Sequence, residues 1–275
     1  MVAVAAFSFM SIFITNKLMQ GTGNYAPING LNLYYEVYGT GMPLVLVHGG
    51  GSTINTSFAN IIPLLANHRQ VIALETQSHG RTFDIDREFT FEQDADDMAE
   101  LLNHLQIARA DFMGFSNGGT VCLQMAIRHP QMVNKLIPAS ACYSRAGMPA
   151  GFWEGMQHAT LDNMPQPLKD PYLQVNPNPE GLLAMFNRDK NRMLTFKDIS
   201  DEDLKTITAP TLVINAYNDI ILPEHALALA RMLPNAQLAI LPGGHGDYIG
   251  EICTPTPQSK LPAITAGLID EFLKD

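Results

Sequence analysis

A serine framed by glycines is the first place where this chain could do chemistry: Gly114-Phe115-Ser116-Asn117-Gly118-Gly119. Ala110-Asp111-Phe112-Met113 before it reads as a short strand, and Asn117 to His129 after it as a buried helix. A Gly-x-Ser-x-Gly turn between strand and helix is the setting of a nucleophile elbow. So tight a reversal strains the serine backbone, and bulky neighbours would clash there. A serine hydroxyl is a weak nucleophile until a base takes its proton, and the base needs an orienting acid. In chain order the acid is expected after a later strand and the histidine after the last one. Asp219 follows the apolar run Thr211-Leu212-Val213-Ile214, and His245 sits in Pro242-Gly243-Gly244-His245-Gly246 beyond the final expected strand. The chain has eight histidines. His68, His104, His129, His158 and His225 fall in or beside expected helices, His79 lies in a turn, and His48 reads as a brace for the glycines after it. Only His245 has the required order and setting. Asp247 is too near it in sequence to reach its far ring nitrogen, so Asp219 is the expected acid.

Attack on a carbonyl creates an oxyanion that fixed backbone N–H groups can stabilise, one such donor being worth ~3 kcal/mol. His48-Gly49-Gly50-Gly51 ends an apolar strand and can bring bare backbone close to a substrate. The donors are expected to be the N–H groups of Gly50 and Asn117, with Gly51 in reserve for Gly50. A glycine loop could instead cradle phosphate, but the chain has neither a Walker lysine nor a G-x-G-x-x-G.

Alternating and continuous apolar runs supply the elements that must carry these groups. Asn29-Gly30 marks a hairpin turn into Leu31 to Tyr38, and Leu44-Val45-Leu46-Val47 and Val71-Ile72-Ala73-Leu74 read as central strands. Thr53 to Asn67 reads as one helix. A second starts at Thr90, with Thr90 and Gln93 as a capping box and Phe91, Ala95, Met98, Leu102 and Leu105 as its apolar stripe. Its acidic residues Glu92, Asp94, Asp96 and Asp97 read as a solvated face. Met132 to Ala141 is another apolar strand. The rhythm then breaks into a methionine- and proline-rich stretch with short helices such as Glu180 to Phe186. Beyond it come a helix over Pro223 to Leu233, a strand over Gln237 to Leu241, and an amphipathic helix over Ser259 to Leu273 with Leu261, Ile264, Leu268 and Phe272 on one side. The fold expected is α/β: a mostly parallel central sheet with helices on both faces and a small, mainly helical cap after the sixth strand. Residues 21–144 and 206–275 form the core and 145–205 the cap, whose Trp153, Met156 and Phe186 are candidates for the substrate pocket.

Composition narrows the partners. With 275 residues, 46% apolar, the chain can bury a large core, and a net charge of −10 without a basic run argues against nucleic acid and anionic membrane surfaces. Three scattered cysteines, Cys122, Cys142 and Cys253, give neither a disulfide framework nor a zinc spacing. Val2 to Ile14 is apolar and uncharged, too short to span a bilayer, which takes ~20 apolar residues. Residues 1–20 are expected to be an export segment, making the protein periplasmic or secreted; without that role it would be cytoplasmic.

Taken together, His48-Gly49-Gly50, His79-Gly80-Arg81, the Ser116 elbow, Asp219 with Pro223 behind it, and Gly244-His245 make the chain resemble the α/β-hydrolase fold family over nearly everything past residue 24. The resemblance implies a cofactor-free serine hydrolase acting on a small-molecule ester or related carbonyl, with Ser116, His245 and Asp219 as its triad and no metal. Members with an aspartate nucleophile are disfavoured, since Ser116 holds that position. Two departures touch the pocket: Asn117 stands where a bulkier Met or Gln is common, and Glu75-Thr76-Gln77-Ser78 replaces the usual Asp-x-x-Gly. The expected activity is carboxylester cleavage through an acyl-enzyme. Carbon–carbon bond hydrolysis or perhydrolysis on the same triad, and a ligand-binding protein without turnover, remain as alternatives.

Overall fold

A computed structural model describes residues 21–254 and 258–274; the expected export segment lies outside the described residues. Eight strands build one sheet: β1 (Thr22–Ile28), β2 (Leu31–Tyr38), β3 (Pro43–Val47), β4 (Gln70–Leu74), β5 (Ala110–Phe115), β6 (Val133–Ala139), β7 (Thr211–Asn218) and β8 (Ala236–Gly244). Their spatial order is β1-β2-β4-β3-β5-β6-β7-β8. β1 and β2 form a hairpin through Asn29 and Gly30, at φ of 47° and 85°, the doubly left-handed turn that matches strand twist. β2 is also antiparallel to β4, and every later pairing is parallel. The parallel strands therefore end on the same edge of the sheet, where Ser116, Asp219 and the His48 loop emerge.

Ten helices cover the sheet: α1 (Ile54–Phe58), α2 (Ile62–Leu65), α3 (Phe91–His104), α4 (Asn117–Arg128), α5 (Phe152–His158), α6 (Gln166–Val175), α7 (Pro179–Leu194), α8 (Asp201–Lys205), α9 (Pro223–Met232) and α10 (Leu261–Leu273). The two-residue period of β3 divides its side chains between two cores. Val45 and Val47 meet Met98, Leu102, Val121 and Met125 of α3 and α4, whereas Leu44 and Leu46 meet Phe58, Leu65, Ile269 and Leu273 of α1, α2 and α10. Helices α5 to α8 lie between β6 and β7; α6 and α7 lean over the loops after β3 and β4, α5 packs on α7, and α8 packs on α4 and α9. Asn176 donates to Gly80 O at 3.1 Å, and Arg188 reaches Asp84 at 3.0 Å and the Arg87 carbonyl at 2.7 Å.

Several local expectations change. The helix over Thr53 to Asn67 is broken into α1 and α2, because Pro63 in the first turn of α2 has no N–H and its ring excludes a helical carbonyl four residues back. Only half of the α3 capping box forms: Thr90 accepts from Gln93 N–H at 3.0 Å, but the Gln93 amide turns to Asp97 at 3.1 Å. Nor is the acidic face of α3 wholly solvated. Asp94 and Asp97 are buried, paired with Arg192 and Arg87. Helix α7 extends well past Phe186, since its polar second half finds ion-pair partners. In α10 the buried line is Thr265, Ile269 and Leu273, and Ile264 is 58% exposed, so the apolar face is turned by one residue from the expected one.

Candidate active site

Ser116 sits at φ 55°, ψ −119°, a conformation that non-glycine residues rarely hold, at the joint between β5 and α4. Its N–H donates to Ala139 O at 2.8 Å, fastening the joint to β6. The flanking glycines are sterically required. A Cβ on Gly114 would lie 1.9 Å from Gly118 O, and one on Gly118 would lie 2.1 Å from Val47 O. The serine thus stands clear of the sheet at the positive end of α4, whose first N–H groups have no intrahelical acceptor.

Asp219 and His245 are brought together as expected, across 26 residues of sequence, with His245 Nδ1 at 2.6 Å from Asp219 Oδ1. The Asp219 side chain is fully buried and that of His245 is 23% exposed. Burial pushes the Asp219 carboxyl upward, but the His245 hydrogen bond and charge, the Ser140 hydroxyl and the Ile221 N–H outweigh it and hold the group below its ordinary value. Ser140 Oγ donates to Asp219 Oδ2 at 2.6 Å, so its only hydrogen is spent; the Tyr248 hydroxyl, 2.6 Å away, must donate to Ser140 in turn. The His245 loop is pinned rather than loose, because Asp247 Oδ2 accepts from Gly244 N–H at 2.7 Å. The His245 ring lies 4.7 Å from the ring of Phe115, the residue before Ser116. Among the described residues no hydrogen bond joins Ser116 Oγ to His245. Such contacts in empty sites commonly close only when substrate arrives.

The loop after β3 separates the two candidate donors. Gly49 N–H goes to Ser57 Oγ at 3.3 Å and Gly51 N–H to Asp189 Oδ2 at 2.6 Å. Gly51, the reserve, is therefore occupied. Among the described residues the N–H groups of Gly50 and Asn117 are not given to a protein acceptor. His48 braces this loop: its Nδ1 faces Gly49 O at 2.7 Å and its Nε2 accepts from Thr76 N–H at 3.1 Å. Burial, with His79 nearby, lowers His48 to about 3, so it is a neutral ring. Glu75, the departure before the His-Gly turn, is buried and accepts from Arg81 N–H at 2.6 Å, Arg81 Nη1 at 2.9 Å and Ile54 N–H at 3.3 Å. It organises the turn.

Of the three pocket candidates, Trp153 and Met156 lie on α5 and Phe186 on α7. Trp153 donates to Arg145 O at 2.9 Å, carries the Arg145 guanidinium 3.8 Å from its ring centre and stacks on Phe196 at 6.3 Å. Met156 packs with it against the core on the α3 side, and Phe186 is half-buried on α7. The apolar cap groups that meet the glycine loop are instead Met164 and Leu168: a Cβ on Gly51 would lie 2.9 Å from Met164 Cε and 4.0 Å from Leu168 Cδ1. Sequence reasoning also missed Ser140, Tyr248 and Asp189. Asp189 did leave a signal, because it falls on the buried stripe Leu182, Met185, Arg192 of α7, where a charge needs a partner. Ser140 and Tyr248 left none. Among the described residues no three His, Cys, Asp or Glu side chains are grouped to hold a metal ion, and no helix is long and apolar enough to cross a membrane.

Comparison with known proteins gives this geometry relatives. The chain is 31% identical over 230 residues to the dihydrolipoyllysine-residue acetyltransferase component of an acetoin cleaving system of Pseudomonas putida, aligning 77% of itself but only 61% of that longer protein. It is 27% identical over 264 residues to the 2-hydroxymuconate semialdehyde hydrolase of Pseudomonas sp. strain CF600, covering 86% of this chain and 88% of that one. A thermophilic esterase from Thermogutta terrifontis superposes with a TM-score of 0.68 at 25% identity, over 92% of this chain and 98% of that one. The family described as the alpha/beta hydrolase fold matches residues 42–186, from β3 through the elbow into α7. With that match spanning more than half of its length, the chain belongs to the alpha/beta hydrolase fold family.

Proposed function

We propose that this hydrolase cleaves small carboxylic esters through an acyl-enzyme formed on Ser116. The observation that carries the reading is the His245 ring, held by Nδ1 on buried Asp219 and resting on Phe115, with Nε2 left for the nucleophile. Ser116 Oγ attacks the ester carbonyl as His245 Nε2 takes its proton, and Asp219 stabilises the imidazolium. The oxyanion receives Gly50 N–H and Asn117 N–H, the donors left free around the elbow. His245 returns the proton to the leaving alkoxide. Water, activated by the same ring, then releases the acid and restores Ser116.

The second reading, hydrolysis of a carbon–carbon bond in an oxo-dienoate, is favoured by the likeness to the 2-hydroxymuconate semialdehyde hydrolase. Such a substrate carries a carboxylate. Against it, the two arginines of α7 are engaged by carboxylates: Arg192 by Asp94 and Asp189, Arg188 by Asp84. A neutral ester fits this electrostatic setting better. The test is turnover of p-nitrophenyl acetate, butyrate and octanoate by wild type and Ser116→Ala. Ester turnover that drops by up to ~10⁶-fold in the variant supports the reading. No ester turnover with turnover of an oxo-dienoate selects the second. Tight binding of either substrate without any product burst would leave a binding protein on this fold.

A further inference from the structure

Asp189 is a carboxylate from the cap inserted into the loop that carries Gly50. Its Oδ2 takes Gly51 N–H at 2.6 Å and His79 Nε2 at 2.9 Å, and its Oδ1 takes Arg192 Nη2 at 2.8 Å. A Cβ on Gly50 would lie 2.5 Å from Asn117 Nδ2 and 3.3 Å from Asp189 Oδ2, so this glycine is clasped between α4 and α7. Gly51 holds φ +66°, so its N–H direction is fixed only as long as that left-handed turn is kept.

The clamp is itself clamped. Arg192 gives its other terminal nitrogen to buried Asp94 at 2.6 Å and lies 4.0 Å and 4.5 Å from the ring centres of Phe89 and Phe91. His79 is fully buried, and its Nδ1 faces the Gln77 carbonyl at 2.9 Å while its Nε2 faces the carboxylate. Nδ1 also lies 3.3 Å from the Thr76 hydroxyl, so neither ring nitrogen is left without a partner. Burial opposes a charge on the ring, but Asp189 outweighs it and His79 is raised above its ordinary value. Asp189 is thus met by Arg192 and His79 together, and Arg192 also meets Asp94, so the carboxylate's charge is compensated where it stands. An anion that close to a developing oxyanion would oppose catalysis unless compensated in this way.

We propose that Asp189 is a positioning residue of the oxyanion hole, the contact by which the cap sets the aim of Gly50 N–H. The proposal rests on the hydrolytic reading above and on Gly50 as a donor. Asp189 touches the loop, not the substrate, and acts through the Gly50–Gly51 peptide. A cap shifted away from the loop would withdraw the carboxylate and leave Gly51 free to relax. Closure of the cap over a substrate and assembly of the oxyanion hole are then one event.

The test compares wild type, Asp189→Ala and Asp189→Asn on p-nitrophenyl butyrate and on the matching thionoester, whose larger and weaker accepting sulfur uses an oxyanion hole poorly. Folding is checked by circular dichroism and the melting temperature. Asp189→Ala is expected to lose ~10- to 100-fold in kcat, below the ~10²- to 10³-fold of a deleted donor, with little change in KM. Its preference for the oxygen ester over the thionoester should shrink. Asp189→Asn, whose amide oxygen can still accept from Gly51, should recover part of both losses. A folded Asp189→Ala within about twofold of wild type in kcat, or a loss with an unchanged ester-to-thionoester ratio, overturns the assignment. If the alanine variant does not fold, the same ratio in Asp189→Asn decides: a ratio equal to wild type despite a large fall in kcat overturns it. A wild type without Ser116-dependent turnover overturns the hydrolytic reading, and this inference falls with it.

Discussion

Two aspartate–histidine pairs stand on the same edge of the sheet, and they differ in what surrounds the ring. In Asp219–His245 the carboxylate is buried and holds one ring nitrogen at 2.6 Å, while the ring keeps 23% of its surface exposed beside the elbow. In Asp189–His79 the ring is fully enclosed and both nitrogens are claimed, Nε2 by the carboxylate at 2.9 Å and Nδ1 by the Gln77 carbonyl at 2.9 Å and the Thr76 hydroxyl at 3.3 Å. The first arrangement leaves a lone pair for a proton. The second has no nitrogen to offer. An aspartate–histidine contact therefore does not by itself mark a candidate base; the unclaimed ring nitrogen is what separates the two pairs. Sequence reading set His79 aside as structural, which agrees with this geometry, but it did so from the position of a turn and without sight of Asp189.

The contrast breaks most sharply under matched substitutions. Asp219→Asn should leave the fold nearly intact and lower kcat by ~10⁴-fold, because an amide there holds the imidazole in the wrong tautomer. His79→Ala should do the reverse. It strands buried Asp189 beside a single cation, so urea unfolding should show a loss of roughly 3–5 kcal/mol, while kcat falls far less than in Asp219→Asn. Equal effects of both variants on kcat would mean that the two pairs are not different kinds of object.

Proton linkage separates the buried histidines more gently. His79 is raised in the folded state, so its pair with Asp189 stabilises fully below the unfolded value of ~6.5 and loses that contribution as pH rises through the folded value. The charged groups facing it are Asp189, Arg192 and Asp94, and the neutral ring of His48 lies 4.8 Å away. His48 and His225 carry the opposite sign. Burial lowers them to about 3 and about 4, so the neutral rings stabilise above ~6.5 and that stability is lost as pH falls. Unfolding free energy measured at pH 5, 7 and 9 should decline on the alkaline side in wild type and decline less in His79→Gln. An alkaline slope that survives the substitution unchanged would contradict a raised His79 as its source.

What was legible in the sequence was whatever a local pattern enforces. The elbow glycines are dictated by contacts within a few residues and across one strand, and the order of Ser116, Asp219 and His245 follows from the order of strands. Pro63 was a local signal for the break between α1 and α2, whereas the turn of α10 was harder, since the exposure of Ile264 is decided by packing rather than by periodicity. Asp189 meets Gly51 across 138 residues and His79 across 110, and no spacing rule carries that far. The contacts of the cap side chains were out of reach for the same reason. Trp153 looked like a pocket group by type, but its ring is already taken by Arg145 and Phe196.

The smallest expected effect lies behind the catalytic-type pair, at Ser140. This residue holds φ 47°, which favours glycine, yet it is a serine, buried, and its hydroxyl supports Asp219 Oδ2 with Tyr248 behind it. Two substitutions divide its backbone role from its side-chain role. Both Ser140→Ala and Ser140→Gly remove the hydroxyl, leaving Asp219 Oδ2 with Ala216 N–H at 3.2 Å and the Tyr248 hydroxyl unpaired. Each should cost about 1–2 kcal/mol of stability for the stranded donor and lower kcat by roughly 3- to 10-fold. Glycine should recover up to about 1 kcal/mol of the stability, because it holds a left-handed φ without strain, and none of the kcat. If glycine also restored the rate, the backbone of Ser140 and not its hydroxyl would be what holds Asp219 toward His245. The distinction between the two aspartate–histidine pairs would then rest on strand geometry alone.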